Sequence, residues 1–207
     1  MKQAIIFGSA PVSDWSFLSP YRTNSDLIIC ADGGLRAAQA NGLTPDWYVG
    51  DSDSGGAIGN YPSDTLPSEK DVTDLDMAVS RALQQGCDSI LLCGCTGGRQ
   101  DHHFSAVGQL ERIHREGKFG MILDPCNEIR ILAPGITAVR ETPCYHYFGI
   151  VPLDLHMTDV TISGAKYETS HIDLHRYSSL AISNNLIPGK HCTIQVGSGM
   201  GLLIRSN

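Results

Sequence analysis

The sequence has little positive charge and no long hydrophobic run. Acidic residues number 22 and basic residues 15, so the formal net charge of the 207-residue chain is −7. Because nucleic-acid-binding proteins usually present a basic face, we expect no nucleic-acid partner. No segment approaches the roughly 20 apolar residues of a membrane helix, and the apolar stretch after Met1 is too short for a secretory signal. We therefore expect no membrane association and interpret this stretch as a buried strand.

The cysteines do not form a recognisable disulfide or zinc pattern. There are seven, an odd number, and most lie in apolar runs such as LIIC and ILLCGC. Cys93 and Cys95 form a C-x-C pair, but no second pair stands at zinc-site spacing. We therefore expect reduced, buried thiols in a cytoplasmic protein. His171 and His175 are four residues apart, but the segment around them has a strand-and-loop pattern, which argues against a metal-ligand pair on a helix.

Three common motifs are also missing. The chain contains no G-x-x-x-x-G-K-[ST], no G-x-G-x-x-G and no G-x-S-x-G, so it gives no support for a P-loop, a Rossmann dinucleotide site or a hydrolase nucleophile elbow. Two glycine pairs, Gly33-Gly34 and Gly97-Gly98, do lie between a predicted strand and a predicted helix, where free backbone N–H groups favour an anion. Arg99 follows the second pair and can bind phosphate oxygens bidentately.

The first part of the chain alternates strands and helices. The runs QAIIFGS, SDLIICAD, DWYVGD and SILLCGC are predicted as buried strands. A helix is predicted over 74–85, with Thr73 as its N-cap. A second helix is predicted over 101–116, with Phe104 and Val107 among its inward-facing residues. This alternation indicates an α/β domain with a mostly parallel sheet.

After Pro125 the pattern changes to short runs separated by turn residues, without a helical stripe. One of these runs is LAIS, at 180–183. The pattern predicts an all-β half, most simply a sandwich or a small barrel. We therefore divide the chain into an α/β domain, 1–124, and a C-terminal all-β domain, 125–207.

The aspartates of the first half follow predicted strands or begin a predicted helix. They are Asp32, Asp51, Asp53, Asp71, Asp74, Asp76 and Asp101. The loops at the carboxyl ends of strands line the ligand crevice of an open α/β sheet, so these carboxylates should gather at one edge. Clustered carboxylates attract a cation, and oxygen ligands favour Mg²⁺. We predict a Mg²⁺ site from Asp51, Asp53 and Asp74, whereas helix capping or turn formation is an equal alternative for Asp32 and Asp76.

Taken together, these motifs resemble those of the thiamine pyrophosphokinase (thiamine diphosphokinase) family. They are ADGG, PDWYVGDSDS, DVTDLDMAV and GGRQDH, followed by an all-β half that contains Ser183-Asn184. The match covers nearly the whole chain. The resemblance implies an α/β catalytic domain that binds ATP, a β-sandwich domain that binds thiamine, and a homodimer with active sites at the subunit interface. It implies transfer of a pyrophosphoryl group from ATP to thiamine, with Mg²⁺ as cofactor and with thiamine diphosphate and AMP as products.

The resemblance also implies roles for individual residues. The metal and triphosphate ligands are Asp51, Asp53 and Asp74. The residues around the nucleotide are Asp32, Thr73, Arg99 and Asp101. Arg99, Asp101 and Asp74 are the expected catalytic residues. Asp101 is the candidate for taking the hydroxyl proton, with a phosphate-positioning role as the alternative.

In the second half, Ser183 is expected to face thiamine, together with Asn184. The chain departs from the family's usual pattern at two positions. It has Asn185 where the family often has Glu, and Ala106 where the family often has Asn. These departures concern thiamine contacts and helix packing, not the metal-binding carboxylates.

Two other functions are compatible with the same residues. A Mg²⁺-dependent nucleotide pyrophosphohydrolase would use the same aspartates, with water as the acceptor. A non-catalytic nucleotide sensor would bind ATP without turnover. Thiamine-dependent formation of AMP separates the first from a pyrophosphokinase, and turnover of any kind excludes the second.

Overall fold

The computed structural model describes residues 1–50, 61–65, 71–142 and 144–207. The chain divides into two compact units, Met1–Pro125 and Cys126–Asn207. This division falls one residue after the boundary that the sequence predicts. Two of the expected metal ligands, Asp51 and Asp53, lie outside the described residues. In the described ranges, no helix has the length and apolar character that a membrane span requires.

The described residues of the first unit include six strands whose neighbours pair in parallel. They are β1 (Gln3–Phe7), β2 (Leu27–Ala31), β3 (Trp47–Gly50), β4 (Ser63–Thr65), β5 (Ser89–Cys93) and β6 (Phe119–Leu123). Their order across the sheet is β6-β5-β1-β2-β3-β4. Every residue of β5 is buried, as expected of a parallel strand that is covered on both faces. The sequence predicted β1, β2, β3 and β5 but neither the apolar β6 nor the short polar β4.

The described part of the first unit also contains three α-helices and a short 3₁₀ segment, Ser16–Tyr21. The helices are α1 (Gly34–Ala40), α2 (Asp74–Gln84) and α3 (Gln100–Arg115). Thr73 caps α2 as predicted, because its hydroxyl accepts a hydrogen bond from the N–H of Asp76 at 3.2 Å. The prediction for Phe104 is wrong, since its side chain is 70% exposed. At about 100° per residue, Phe104 lies opposite the buried Ala106 and Ile113, so the core-facing side of α3 excludes it.

The described elements of the second unit are strands. They are β7 (Asn127–Leu132), β8 (Gly135–Val139), β9 (Tyr147–Pro152), β10 (His156–Ser163), β11 (Thr169–His175), β12 (Asn184–Asn185), β13 (Cys192–Val196) and β14 (Gly201–Ser206). β12, β9, β14 and β7 pair antiparallel in that order, and β11, β10, β13 and β8 form a separate antiparallel sheet. One buried cluster combines Phe148 and Leu203 from the first group with Val160 and Ile194 from the second.

The predicted strand at 180–183 is wrong. These residues form turns and bends that lead into β12. Ser183 has a φ of +60°, which interrupts an extended strand. Leu180 and Ile182 are exposed, and within this run only Ala181 joins the buried cluster of the second unit.

Candidate active site

A cavity of about 680 Å³ lies at the carboxyl ends of β1, β2 and β5 in the first unit. The N-terminal turns of α2 and α3 complete its wall. Its polar side chains include Ser9, Asp32, Thr73, Asp74, Arg99 and His102. The topology therefore gathers at one place the residues that follow the strands, as an open α/β sheet is expected to do.

Asp32 lines this cavity and has one buried carboxylate oxygen. Its backbone has a φ of +50°, and its N–H donates to the carbonyl of Val49 at 2.8 Å. Among the described residues, the buried Oδ1 atom of Asp32 has no hydrogen-bond partner. Asp32 does not cap α1, because Gly33 stands at the N-cap without a side-chain bond. The backbone carbonyl of Asp32 accepts a hydrogen bond from the N–H of Leu35 at 3.3 Å, so Asp32 begins the turn that leads into α1, and a ligand-binding role for its carboxylate stays a prediction.

Close backbone packing shapes the wall beside Asp32. A Cβ atom on Gly34 would lie 1.8 Å from the carbonyl oxygen of Phe7, so only glycine fits between α1 and β1. Ser9 follows β1 and lies in the cavity against Gly33. Ser9 is not among the site residues predicted from the sequence, although the rule that loops follow the carboxyl ends of strands applies to β1 as well as to β2 and β5.

The N-terminus of α2 brings Thr73 and Asp74 to the cavity. Asp74 is half-buried in the first turn, where a negative charge interacts favourably with the helix dipole. The hydroxyl of Thr73 already accepts the capping bond from Asp76, so it reaches a ligand only as a donor or through a second lone pair. α2 thus supplies one carboxylate and one hydroxyl to the site.

Arg99 and Asp101 form a bidentate ion pair at the start of α3. Arg99 Nε donates to Asp101 Oδ1 at 3.1 Å, and Arg99 Nη2 donates to Asp101 Oδ2 at 2.5 Å. The hydrogen bonds from Arg99 lower the pKa of the Asp101 carboxyl, and those same bonds raise the pKa of Arg99. Arg99 lines the cavity, whereas Asp101 is not among its lining residues. Arg99 therefore lines the cavity while its guanidinium is bound to Asp101, and both side chains are largely exposed.

Cys95 is a second lining residue that the sequence motifs did not connect with the site. Burial raises the pKa of its thiol to about 12, so the thiol is neutral at physiological pH and is a poor nucleophile. All seven cysteines lie in described residues, and none forms a disulfide. Four of them are buried, while Cys126 is exposed, so the expectation of buried thiols holds only in part.

Asp76 faces away from the cavity. Its carboxylate binds Gln109 and Arg112 of α3, at 2.9 Å and 3.0 Å. The carboxylate of Asp76 therefore joins α2 to α3, a contact that neither alternative for this residue anticipated.

The second unit has a cavity of its own, of about 310 Å³, which includes Ser183 and Ile182 in its wall. The side chain of Asn184 is buried and binds both backbone groups of Tyr167: Tyr167 N–H donates to Oδ1 at 3.0 Å, and Nδ2 donates to the Tyr167 carbonyl at 2.7 Å. Of the two residues that are expected to contact thiamine, Ser183 lines this cavity, whereas Asn184 binds the backbone of Tyr167.

Within the residues that the structure describes, no group of three or more His, Cys, Asp or Glu side chains is arranged to hold a metal ion. Asp32 and Asp74 both line the cavity in the first unit. Asp51 and Asp53, which complete the predicted ligand set, lie outside the described ranges. The Mg²⁺ site therefore stays a prediction.

Comparison with known proteins identifies the family. Residues 18–120 match the family model for the thiamin pyrophosphokinase catalytic domain, and residues 136–200 match the model for the thiamin pyrophosphokinase vitamin B1 binding domain. The thiamine pyrophosphokinase of Bacillus subtilis (strain 168) is 28% identical, over 100% of this chain and 99% of that protein.

Solved structures agree with these matches. A crystal structure of thiamine pyrophosphokinase from Bacillus subtilis superposes with a TM-score of 0.91 at 27% identity, over 100% of this chain and 99% of the other. The thiamin pyrophosphokinase from Geobacillus thermodenitrificans gives a TM-score of 0.88 at 29% identity, over 100% and 98% of the two chains. The chain belongs to the thiamin pyrophosphokinase family.

Proposed function

We infer that this chain transfers a pyrophosphoryl group from ATP to the hydroxyl group of thiamine, giving thiamine diphosphate and AMP. The observation that carries this conclusion is the match of both family domains, in order, along one chain. The chemistry of the cavity is consistent with it, because carboxylates and a guanidinium surround a space large enough for a nucleotide. We interpret the first unit as the α/β catalytic domain and the second as the β-sandwich domain that binds thiamine.

The decisive experiment is an assay of purified protein with thiamine, ATP and Mg²⁺, with the nucleotide products separated by chromatography. We expect AMP to form only when thiamine is present. AMP formation without thiamine would instead indicate a pyrophosphohydrolase. ADP would indicate an ordinary kinase. ATP binding by calorimetry without any turnover would indicate a nucleotide sensor.

We propose that Mg²⁺ accompanies the triphosphate, held by Asp74 together with Asp51 and Asp53. The donor set fits, because carboxylate oxygens are the ligands that Mg²⁺ prefers. The buried Oδ1 of Asp32, which has no partner among the described residues, supports a cation or nucleotide group at the same cavity. When bound, Mg²⁺ would supply positive charge that offsets the charge of the phosphate oxygens.

In the proposed reaction the thiamine hydroxyl oxygen bonds to the β-phosphorus while the bridge between the α- and β-phosphates breaks and AMP leaves. Arg99 binds phosphate oxygens and stabilises the negative charge that develops on them. Thr73 and Asp32 orient the nucleotide. Most of the rate enhancement comes from this positioning and charge stabilisation, as in other phosphoryl transfers.

We propose that Asp101 acts through its pair with Arg99 and takes the hydroxyl proton late in the transfer. Because its pKa is lowered, Asp101 is ionised but is a weak base. A weak base suffices once bond formation to phosphorus has made the hydroxyl proton acidic.

The metal assignment is tested by Asp51→Asn and Asp53→Asn. Each change removes a negative ligand, and we expect turnover to fall by well over about tenfold without loss of the fold. Circular dichroism would verify folding. A folded variant with normal production of thiamine diphosphate would contradict the assignment.

We further propose that Ser183 contacts thiamine and that the protein is a cytoplasmic homodimer with active sites shared between subunits. The cavity beside Ser183 supports the first part, and the exposed apolar side chains of Tyr147 and Ile182 in its wall are compatible with a partner surface. Light scattering would measure the oligomeric state. If sites are shared, mixing an Asp51 variant with a Ser183 variant restores activity, whereas independent sites would leave the mixture inactive.

A further inference from the structure

A polar network joins α2 to α3 outside the cavity. Each oxygen of the Asp76 carboxylate accepts one hydrogen bond from α3: Oδ1 from Arg112 Nη1 at 3.0 Å, and Oδ2 from Gln109 Nε2 at 2.9 Å. Arg112 Nη2 also donates to Ser80 Oγ at 2.9 Å, one turn further along α2. Ser80 Oγ in turn donates to the carbonyl of Asp76 at 2.9 Å. The four side chains thus fix two successive turns of α2 to one face of α3.

The network joins the first turns of α2 to the C-terminal half of α3, and the N-termini of both helices form part of the site. Thr73 and Asp74, at the N-terminus of α2, line the cavity, and Arg99 precedes α3 on the same cavity. Asp76 is one turn or less from Asp74, so a shift of Asp76 along α3 moves Asp74 with it.

We propose that Asp76 is a positioning residue that sets the distance between the α2 and α3 termini, so that Thr73 and Asp74 hold the nucleotide phosphates opposite Arg99. This inference rests on the proposed function, in which the cavity binds ATP. Asp76 acts through Asp74 and Arg99 and does not contact the substrate. The network is suited to this role because Gln109 is buried and Asp76 and Arg112 are mostly covered, with 31% and 37% of their side chains exposed.

The proposal is tested by Asp76→Asn, Arg112→Met and the double variant. An asparagine keeps the size of the side chain but has one acceptor oxygen in place of two, so one bond to α3 is lost. Because a misplacement of about 1 Å can cost about a hundredfold in rate, we expect each single variant to lower kcat/KM for ATP by about tenfold or more. The KM for thiamine should stay unchanged. The double variant should have the same kcat/KM for ATP as the less active single variant, because the two single changes remove the same contact.

Asp88→Asn is the matched control. Asp88 also forms a half-exposed ion pair in the first unit, with Lys118 at 2.9 Å, but neither residue lines the cavity or belongs to α2 or α3. We expect Asp88→Asn to leave kcat/KM for ATP within about twofold of the wild-type value, as is usual for a surface pair. The kinetics of all variants are measured well below their melting temperatures. Calorimetry separately measures how tightly each variant binds a non-hydrolysable ATP analogue.

Three outcomes would overturn the proposal. These are a folded Asp76→Asn variant with wild-type kcat/KM for ATP, a KM for thiamine that rises as much as the KM for ATP, or additive losses in the double variant. If Asp76→Asn does not fold, Arg112→Lys replaces it, since lysine keeps the charge but cannot bind Asp76 and Ser80 together. A wild-type protein that forms no thiamine diphosphate refutes the proposed function itself. The calorimetric comparison then tests the positioning role independently.

Discussion

At the residue scale, Arg99 is a group whose charge and shape suit a triphosphate. Arg99 lines the cavity, and its guanidinium is bound bidentately by Asp101. A planar guanidinium binds two oxygens at once, and a lysine ammonium does not. Activity should therefore require an arginine at position 99 and not only a positive charge there.

We expect Arg99→Lys to lower kcat/KM for ATP by about tenfold or more, because bidentate contacts to phosphate contribute at least about 1.4 kcal/mol. Steady-state kinetics with varied ATP would measure the change. Arg115→Lys is the control, since Arg115 pairs with Glu111 on the exposed side of α3. Equal activities for the two lysine variants would contradict the role of Arg99.

The ion pair between Arg99 and Asp101 also lowers the pKa of the Asp101 carboxyl. Hydrogen bonds from Arg99 hold the pKa of Asp101 below its ordinary value of 3.8. The folded state therefore favours the ionised carboxylate. The resulting contribution to stability is present above pH 3.8 and is lost as the pH falls through the lowered pKa.

We expect Arg99→Met to raise the pKa of Asp101 towards its ordinary value. Carbon-detected NMR titration of the Asp101 carboxyl would show the midpoint moving to higher pH. The Asp88 carboxyl, whose pKa is lowered by Lys118, should not move in the same variant. An unchanged midpoint for Asp101 would show that Arg99 is not the cause of its shift.

At the scale of elements, α3 illustrates how a helix is divided between core and surface. Leu110 is fully buried, whereas Phe104 is 70% exposed despite its large apolar ring. The sheet covers the side of α3 that carries Ala106, Leu110 and Ile113, and Phe104 points away from that side. The stability of α3 should therefore depend on Leu110 and not on Phe104.

We expect Leu110→Ala to lower the free energy of unfolding by about 2–5 kcal/mol, because it leaves a cavity in the core. Phe104→Ala should change it by less than about 0.5 kcal/mol, as at other exposed positions. Urea denaturation followed by circular dichroism measures both. A large loss for Phe104→Ala would mean that the ring is covered in solution, for example by a second subunit.

At the scale of the whole molecule, the two units carry different parts of the proposed activity. The catalytic-domain match covers residues 18–120, and the vitamin B1 binding match covers residues 136–200. Each unit has a cavity of its own: Asp32, Thr73 and Arg99 line the first, and Ser183 lines the second. Binding of each substrate should therefore slow hydrogen exchange in a different part of the chain.

We expect Mg²⁺-ATP to slow hydrogen exchange at the N-termini of α2 and α3, and thiamine to slow it around Ser183. Ordered ligand contacts reduce local opening, and mass spectrometry of peptic fragments locates the change. Inorganic sulfate serves as the control for a general anion effect. Protection around Ser183 by ATP alone would contradict the division between the units.

The sequence alone determined the order of the strands β1, β2, β3 and β5, the positions of α2 and α3, and the family resemblance. Apolar periodicity and capping residues are local features, so the sequence pattern is sufficient to identify Thr73 as the cap of α2. The order of ADGG, GDSDS, TDLD and GGRQDH along the chain is likewise independent of packing.

Only the tertiary structure decided which of the polar residues share a site. Asp74 and Asp76 lie on one helix turn, yet Asp74 lines the cavity and Asp76 binds Arg112 of α3. Asn184 and Ser183 are adjacent, yet one binds the backbone of Tyr167 and the other faces a cavity. The partner of each side chain depends on how distant elements pack, and residues far apart in the sequence leave no local pattern that predicts it.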